Sequence, residues 1–111
     1  MTCVFCERVK NGEYIDTEFA DVVRFEPLNP VTPGHMLFIP KTHREHQAET
    51  AVARCMAMAE VYGGIQGEDF NLIISSGEFA SQTISHIHVH FVTRREGDGL
   101  HLPWTGQLDN N

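Results

Sequence analysis

Apolar and polar residues alternate along Ile84–Thr93, and histidine occupies three successive polar positions. The spacers between His86, His88 and His90 are β-branched or aromatic. This period of two predicts a β-strand. Because side chains on a strand alternate between its faces, the three imidazoles are expected to share one exposed face while the spacers point into a core. Neighbouring imidazoles would lie roughly 6.5–7 Å apart, close enough for one metal ion or phosphate to contact more than one of them.

Shorter apolar runs predict further strands. A loop of residues 26–34 separates the apolar runs 19–25 and 35–39. This loop contains three prolines and closes with a Pro33-Gly34 turn. A second loop, Ser76–Thr83, precedes the histidine strand. The additional strands are predicted at residues 19–25, 35–39 and 69–75.

Residues 46–62 carry the clearest helical pattern. Small apolar residues recur there at steps of three and four, which predicts an amphipathic helix. Gly63-Gly64 is expected to end that helix. Strands before and after one main helix predict an α+β fold with an antiparallel sheet. The 111 residues show no repeat and no change of composition, so residues 1–111 are expected to form a single domain.

Charge and composition exclude several classes of function. Fifteen acidic residues against eight basic ones give a formal net charge of −7, which disfavours binding to long nucleic acid. No run approaches the ~20 apolar residues of a membrane span, so no membrane partner is expected. The N-terminus lacks the basic and apolar regions of a signal peptide, and three cysteines is an odd number. We therefore expect reduced thiols and a cytoplasmic location.

The histidine strand supports two kinds of chemistry. Zinc accepts imidazole ligands readily, but three ligands from one strand would strain a metal site, because the outer pair lies twice the usual spacing apart. Ser81-Gln82-Thr83, immediately before the strand, adds hydrogen-bond donors for phosphoryl oxygens. A neutral imidazole can attack phosphorus while such donors stabilise the developing charge. The loop therefore favours phosphate chemistry.

The N-terminal Cys3-Val4-Phe5-Cys6 is a separate signal. Two thiols are half of a structural zinc site, which needs four ligands. The alternative is that both cysteines are reduced and pack as small hydrophobic residues. Redox activity is disfavoured, because the motif lacks the strand and helix context of thioredoxin-like proteins.

Taken together, these motifs resemble those of the histidine triad (HIT) superfamily. His86–Val92 is similar to its His-φ-His-φ-His-φ-φ signature, and residues 33–43 are similar to its Pro-Gly-His strand and following Pro-Lys-x-His. Ser81-Gln82-Thr83 resembles its phosphate loop. Gly97-Asp98-Gly99 and Trp104 resemble the C-terminus of bacterial members, and Cys-x-Phe-Cys opens many such chains. The resemblance covers essentially the whole chain.

The resemblance implies a fold and an activity. The implied fold is a HIT-like five-stranded antiparallel sheet with one main helix, and two such sheets join across a homodimer. The implied activity is nucleotide hydrolysis or nucleotidyl transfer at the α-phosphate of a nucleoside phosphoramidate or a dinucleoside polyphosphate, through a nucleotidyl-histidine. A nucleotide-binding adaptor with little catalysis is the alternative. An unrelated zinc hydrolase is disfavoured, because the histidine strand offers no carboxylate ligand.

The resemblance also implies roles for individual residues. His88 is the implied nucleophile. A structural zinc ion is also implied, and His46 is the alternative to His43 as one of its ligands. The implied contacts to phosphate and leaving group are His35, Gln82, Thr83 and His90. The implied zinc ligands are Cys3, Cys6, His43 and His86.

Three positions depart from the family pattern. Ser81 replaces a glycine of the phosphate loop, Ser75 stands where many members carry asparagine, and Pro27 stands where many carry the aspartate that binds ribose. The resemblance therefore implies phosphate chemistry and does not assign a nucleoside specificity.

Overall fold

A five-stranded antiparallel sheet and one long helix form the framework of the protein. The computed structural model describes residues 3–43 and 49–101. The strand order across the sheet is β1-β2-β3-β5-β4. The predicted α+β class, five-stranded sheet and single main helix are confirmed. The strands are β1 Ile15–Asp16, β2 Val22–Phe25, β3 Met36–Pro40, β4 Phe70–Ile74 and β5 Val89–Thr93; the helices are α1 Val4–Lys10 and α2 Glu49–Gln66, with a 3₁₀ turn at Glu78–Ala80.

Apolar side chains cover both faces of the sheet. Helix α2 packs on one face, where Phe38, Cys55 and Phe91 belong to one buried cluster. Helix α1 covers the other face, where Phe5 and Leu37 belong to a second cluster. Alternation along the strands divides the residues between the two clusters, as period-two patterning requires. None of the helices in the described ranges is long and apolar enough to cross a membrane.

The histidine strand is shorter than its sequence pattern predicts. It begins at Val89 instead of Ile84, so His86 and His88 lie in an irregular segment before it. The β3–β5 ladder ends at the Phe38–Val89 pair. Beyond that pair, Pro40 has no N–H to donate, and its carbonyl accepts a hydrogen bond from the His86 ring instead of from a strand. Side-chain hydrogen bonding has replaced the expected ladder.

Helix α2 continues through the glycines that were expected to end it. Gly63 lies against Phe70, and a Cβ at this position would overlap the ring. Gly63 therefore allows close packing of the helix on the sheet. The prediction that these glycines end the helix is wrong for this reason. The helix ends at Gln66. Gly67 follows in the left-handed region at φ +72°, and its N–H donates to the Gly63 carbonyl. The predicted start at residue 46 lies outside the described residues.

Candidate functional site

His35, His88 and His90 line a cavity of about 600 Å³ between α1 and the sheet. The wall of this cavity is largely apolar. A cavity of this size and lining is typical of a small-molecule site. The apolar lining includes Val4, Phe5, Phe25, Leu28 and Val31, and the polar lining includes His35, Thr83, His88 and His90.

The imidazole of His88 has one nitrogen committed to the backbone. Its Nδ1 lies 2.8 Å from the carbonyl oxygen of His86, and only an N–H can donate to a carbonyl. The hydrogen bond therefore places the proton on Nδ1 and leaves the lone pair on Nε2. A neutral imidazole with a free Nε2 beside a cavity is suited to nucleophilic attack.

His35 and His90 form a directed hydrogen-bond chain. The N–H of Val31 donates to His35 Nδ1 at 3.1 Å, so the proton of His35 lies on Nε2. This Nε2–H donates to His90 Nδ1 at 3.0 Å. His90 in turn carries its proton on Nε2 and can donate it to a ligand.

Burial keeps this pair of histidines neutral. It lowers the pKa of His90 to about 4, and the neighbouring His88 and His35 add to that effect. Burial also lowers the pKa of His35, and Glu26 partly opposes the shift. At neutral pH the chain therefore supplies a hydrogen-bond donor without supplying a positive charge.

The imidazoles do not share one exposed face, so that expectation is wrong. His86 is fully buried and His88 is 5% exposed, because α1 covers this part of the sheet. Their rings turn toward different partners once the segment leaves the strand. His86 turns to Pro40 and the N-terminal thiols, whereas His90 turns to His35.

The loop before the triad places Thr83 at the cavity and uses Gln82 to hold its own shape. The Gln82 Oε1 accepts the Gly77 N–H at 2.8 Å, and its Nε2 donates to the Ile84 carbonyl at 3.2 Å. Ser81 adopts a left-handed conformation at φ +68°. In the structure, therefore, the side chain of Gln82 braces the loop that presents Thr83.

Cys3, Cys6, His43 and His86 form a cluster that can hold a metal ion. One ligand atom from each residue lies within 4.8 Å of all the others. His86 Nδ1 lies 3.4 Å from Cys3 Sγ and 3.6 Å from Cys6 Sγ, and His43 Nδ1 lies 3.4 Å from Cys6 Sγ. Tetrahedral zinc with ordinary bond lengths sets sulfur and nitrogen ligands about 3.6 Å apart, so the spacing fits zinc.

A hydrogen bond orients His86 as a ligand of this cluster. Its Nε2 lies 2.8 Å from the carbonyl oxygen of Pro40 and donates to it. The proton therefore lies on Nε2, and the lone pair of Nδ1 faces the two thiols. Such an outer hydrogen bond is the usual means of orienting a metal-bound histidine.

The matching family decides the identity of the chain. Residues 14–97 match the HIT domain family. The protein belongs to the HIT family. Two of its three signature histidines, His88 and His90, line the cavity.

Similar proteins include enzymes and a zinc-bound structure. An adenosine 5'-monophosphoramidase of Schizosaccharomyces pombe is 30% identical to this HIT protein, over 94% of this chain and 84% of the relative. An adenylylsulfatase of Arabidopsis thaliana is 33% identical, over 88% of this chain and 55% of the relative. A zinc-bound histidine triad protein from Mycobacterium smegmatis has a TM-score of 0.77 and 31% identity, over 96% of this chain and 87% of that one.

Sequence reasoning missed the part of the site that α1 supplies. The i,i+4 pair Phe5 and Val9 is apolar, and this weak signal could have indicated a helix facing the core. Arg8 also lines the cavity, with its guanidinium stacked 4.1 Å from the centre of the Phe25 ring. The alternative ligand His46 and the tail residue Trp104 lie outside the described residues.

Proposed function

We propose that this HIT protein hydrolyses a nucleotide at its α-phosphorus through a covalent intermediate on His88. The observation that carries the proposal is the hydrogen bond from His88 Nδ1 to the His86 carbonyl, which selects the tautomer with its lone pair on Nε2. The monophosphoramidase and adenylylsulfatase relatives support the same class of reaction.

In the proposed first step, His88 Nε2 attacks the α-phosphorus. A phosphorus–nitrogen bond to His88 forms and the bond to the leaving group breaks. An amine leaving group takes up a proton from solvent and departs as the neutral amine, and the water that attacks in the second step returns a proton to solvent. The Nδ1–H bond to the His86 carbonyl stabilises the positive charge that develops on the ring. The Nε2–H of His90 and the hydroxyl of Thr83 donate hydrogen bonds to the phosphoryl or bridging oxygens. Water then attacks phosphorus, releases the nucleoside monophosphate and restores neutral His88.

The charges around the cavity support a phosphoramidate over a dinucleoside polyphosphate. Apart from its histidines, the charged groups of the described lining are Arg8 and Glu13, which offset each other. The whole chain has a formal charge of −7. A leaving group with several phosphate charges would find little compensation here, whereas an amine carries no negative charge.

The test compares two substrates and two histidine variants. Adenosine phosphoramidate should give a higher kcat/KM than diadenosine polyphosphate, measured as release of adenosine monophosphate. His88→Ala should lose at least about a thousandfold in kcat, because nucleophilic attack is removed. His101→Ala, at an exposed position outside the cavity lining, is the matched control and should keep full activity.

Each outcome of that comparison is informative. Substantial turnover by pure His88→Ala would contradict the covalent mechanism. A preference for the polyphosphate would contradict the charge argument. Nucleotide binding with no turnover of either substrate would favour the adaptor function.

We also propose that Cys3, Cys6, His43 and His86 bind one structural zinc ion. When bound, zinc would cross-link α1 to the segment before β5 and supply folding energy. A reducing cytoplasm suits such a site, because its thiols must stay free of disulfides. Elemental analysis should give one zinc per chain, and Cys3→Ser should remove it. Cys55→Ser should retain the zinc, because Cys55 lies on α2 and is fully buried on the opposite face of the sheet from α1.

The proposed working unit is a homodimer. Strand β4 is an edge of the sheet, paired with β5 alone in the described residues, and all five of its residues are half-buried. On α2, Val61 and Ile65 remain 44% and 73% exposed. These two side chains face the β1–β2 side of the sheet, away from β4. An open sheet edge and an exposed apolar helix face are each suited to contact with a second copy.

A further inference from the structure

Phe5 links the two halves of the site. It lies between Cys3 and Cys6 in sequence, is 5% exposed and lines the cavity. Its ring centre lies 5.2 Å from the centre of the His88 ring and 5.8 Å from that of His86, edge-on to both. One side chain therefore contacts a metal-cluster histidine and the proposed nucleophile.

The helix that carries Phe5 has few other attachments. Helix α1 has seven residues, and its N-cap, Cys3, makes no side-chain capping bond. A helix this short is unstable in isolation and depends on tertiary contacts. Those contacts include the packing of Phe5 and Val9, the stacking of Arg8 on Phe25, and the approach of the thiols to the cluster histidines. The position of the Phe5 ring is therefore tied to the state of the metal cluster.

We propose that Phe5 is a positioning residue that transmits the state of the metal cluster to the His88 imidazole. The inference rests on the nucleophilic role proposed for His88. The edge of the Phe5 ring confines His88 to the orientation in which Nδ1–H reaches the His86 carbonyl and Nε2 stays free. Without the metal, α1 moves, the ring no longer confines the imidazole, and attack slows.

Two simpler roles for Phe5 make different predictions. If the ring only lines the cavity for substrate, its loss raises KM and leaves the substrate-free His88 unchanged. If it only fills the core, its loss lowers Tm and leaves kcat per folded molecule unchanged. The proposed role lowers kcat and alters His88 before substrate binds.

Phe5→Leu is the test variant, because it keeps apolar volume and all four cluster residues. Histidine nitrogen NMR of the substrate-free protein should show a single Nδ1–H form of His88 in the zinc-loaded wild type. The variant should retain zinc, show mixed His88 tautomers and lose roughly tenfold in kcat, since small misalignments are costly at a reacting atom. Val9→Ala, on the same helix, should lower Tm without either change.

Metal removal completes the test. Chelation, or His43→Gln at the exposed edge of the cluster, should produce the same His88 spectrum and kcat loss as Phe5→Leu. Combining either with Phe5→Leu should add little, because both act through one contact. Independent, additive losses or an unchanged His88 spectrum would overturn the proposal. If Phe5→Leu fails to fold, Phe5→Met serves in its place. The spectra need no turnover, so they test the linkage even if the hydrolase proposal fails.

Discussion

Single backbone groups set the tautomers of three histidines. The Val31 N–H fixes the tautomer of His35. The His86 carbonyl fixes the tautomer of His88, and the Pro40 carbonyl fixes that of His86. The second nitrogen of each ring then has a defined role: that of His35 donates to His90, that of His88 faces the cavity, and that of His86 faces the thiols. The chemistry of the site therefore depends on where the chain places these three backbone groups.

The low pKa of His90 predicts an acid-sensitive fold. Burial lowers this pKa from its ordinary value of 6.5 to about 4, so between these values the unfolded chain binds a proton that the folded chain excludes. Stability should therefore fall as pH drops from 6.5 toward 4. Thermal melts across that range should show a shallower decline for His90→Gln than for wild type. Equal slopes would show that His90 does not carry the effect.

At position 81, glycine should stabilise the fold more than alanine, which is the reverse of the usual order. At φ +68° an L-residue is strained by about 1–2 kcal/mol, whereas glycine is not. Ser81→Gly should therefore be more stable than Ser81→Ala by roughly 1 kcal/mol in denaturant titrations. At the exposed Ser76, which is not among the positive-φ residues, alanine should be the more stable substitution. The same order at both sites would contradict the strain assigned to Ser81.

At the scale of elements, period-two patterns predicted the strands and missed their ends. The sequence placed the apolar runs of β2, β3, β4 and β5, because alternation reflects burial directly. It extended β5 to residue 84, because alternation does not reveal that Pro40 cannot continue the ladder and that its carbonyl binds a ring. Helix α1 was missed because its seven residues are too few to show a clear periodicity.

The site was predicted in composition but not in arrangement. The resemblance named His35, Gln82, Thr83, His88 and His90, and all of these except Gln82 line one cavity in the structure. The hydrogen-bond direction between His35 and His90 depends on a backbone N–H from a distant loop. No sequence pattern contains that information.

Two adjacent glycines in α2 should respond in opposite directions to the same change. Gly63→Ala should destabilise the protein by about 1–3 kcal/mol, because the new methyl overlaps the Phe70 ring. Gly64→Ala should stabilise it by up to about 1 kcal/mol, because its Cβ meets open space within a helix. Chemical denaturation measures both. Similar effects at the two positions would contradict the close packing of α2 against β4.

At the scale of the whole molecule, the proposed homodimer can be tested in solution. Light scattering at micromolar concentration should give twice the chain mass of 12.5 kDa. Ile65→Lys, on the exposed face of α2, should weaken association with little effect on the fold, because that side chain is 73% exposed. A monomer at every accessible concentration would refute the dimer.

The stereochemistry at phosphorus tests the covalent mechanism most directly. A nucleoside phosphorothioamidate of one configuration, hydrolysed in heavy-oxygen water, gives a chiral thiophosphate product. Each in-line displacement inverts phosphorus, so attack by His88 followed by attack by water should give net retention. Net inversion would mean that water attacks the substrate directly, and it would contradict the role proposed for His88.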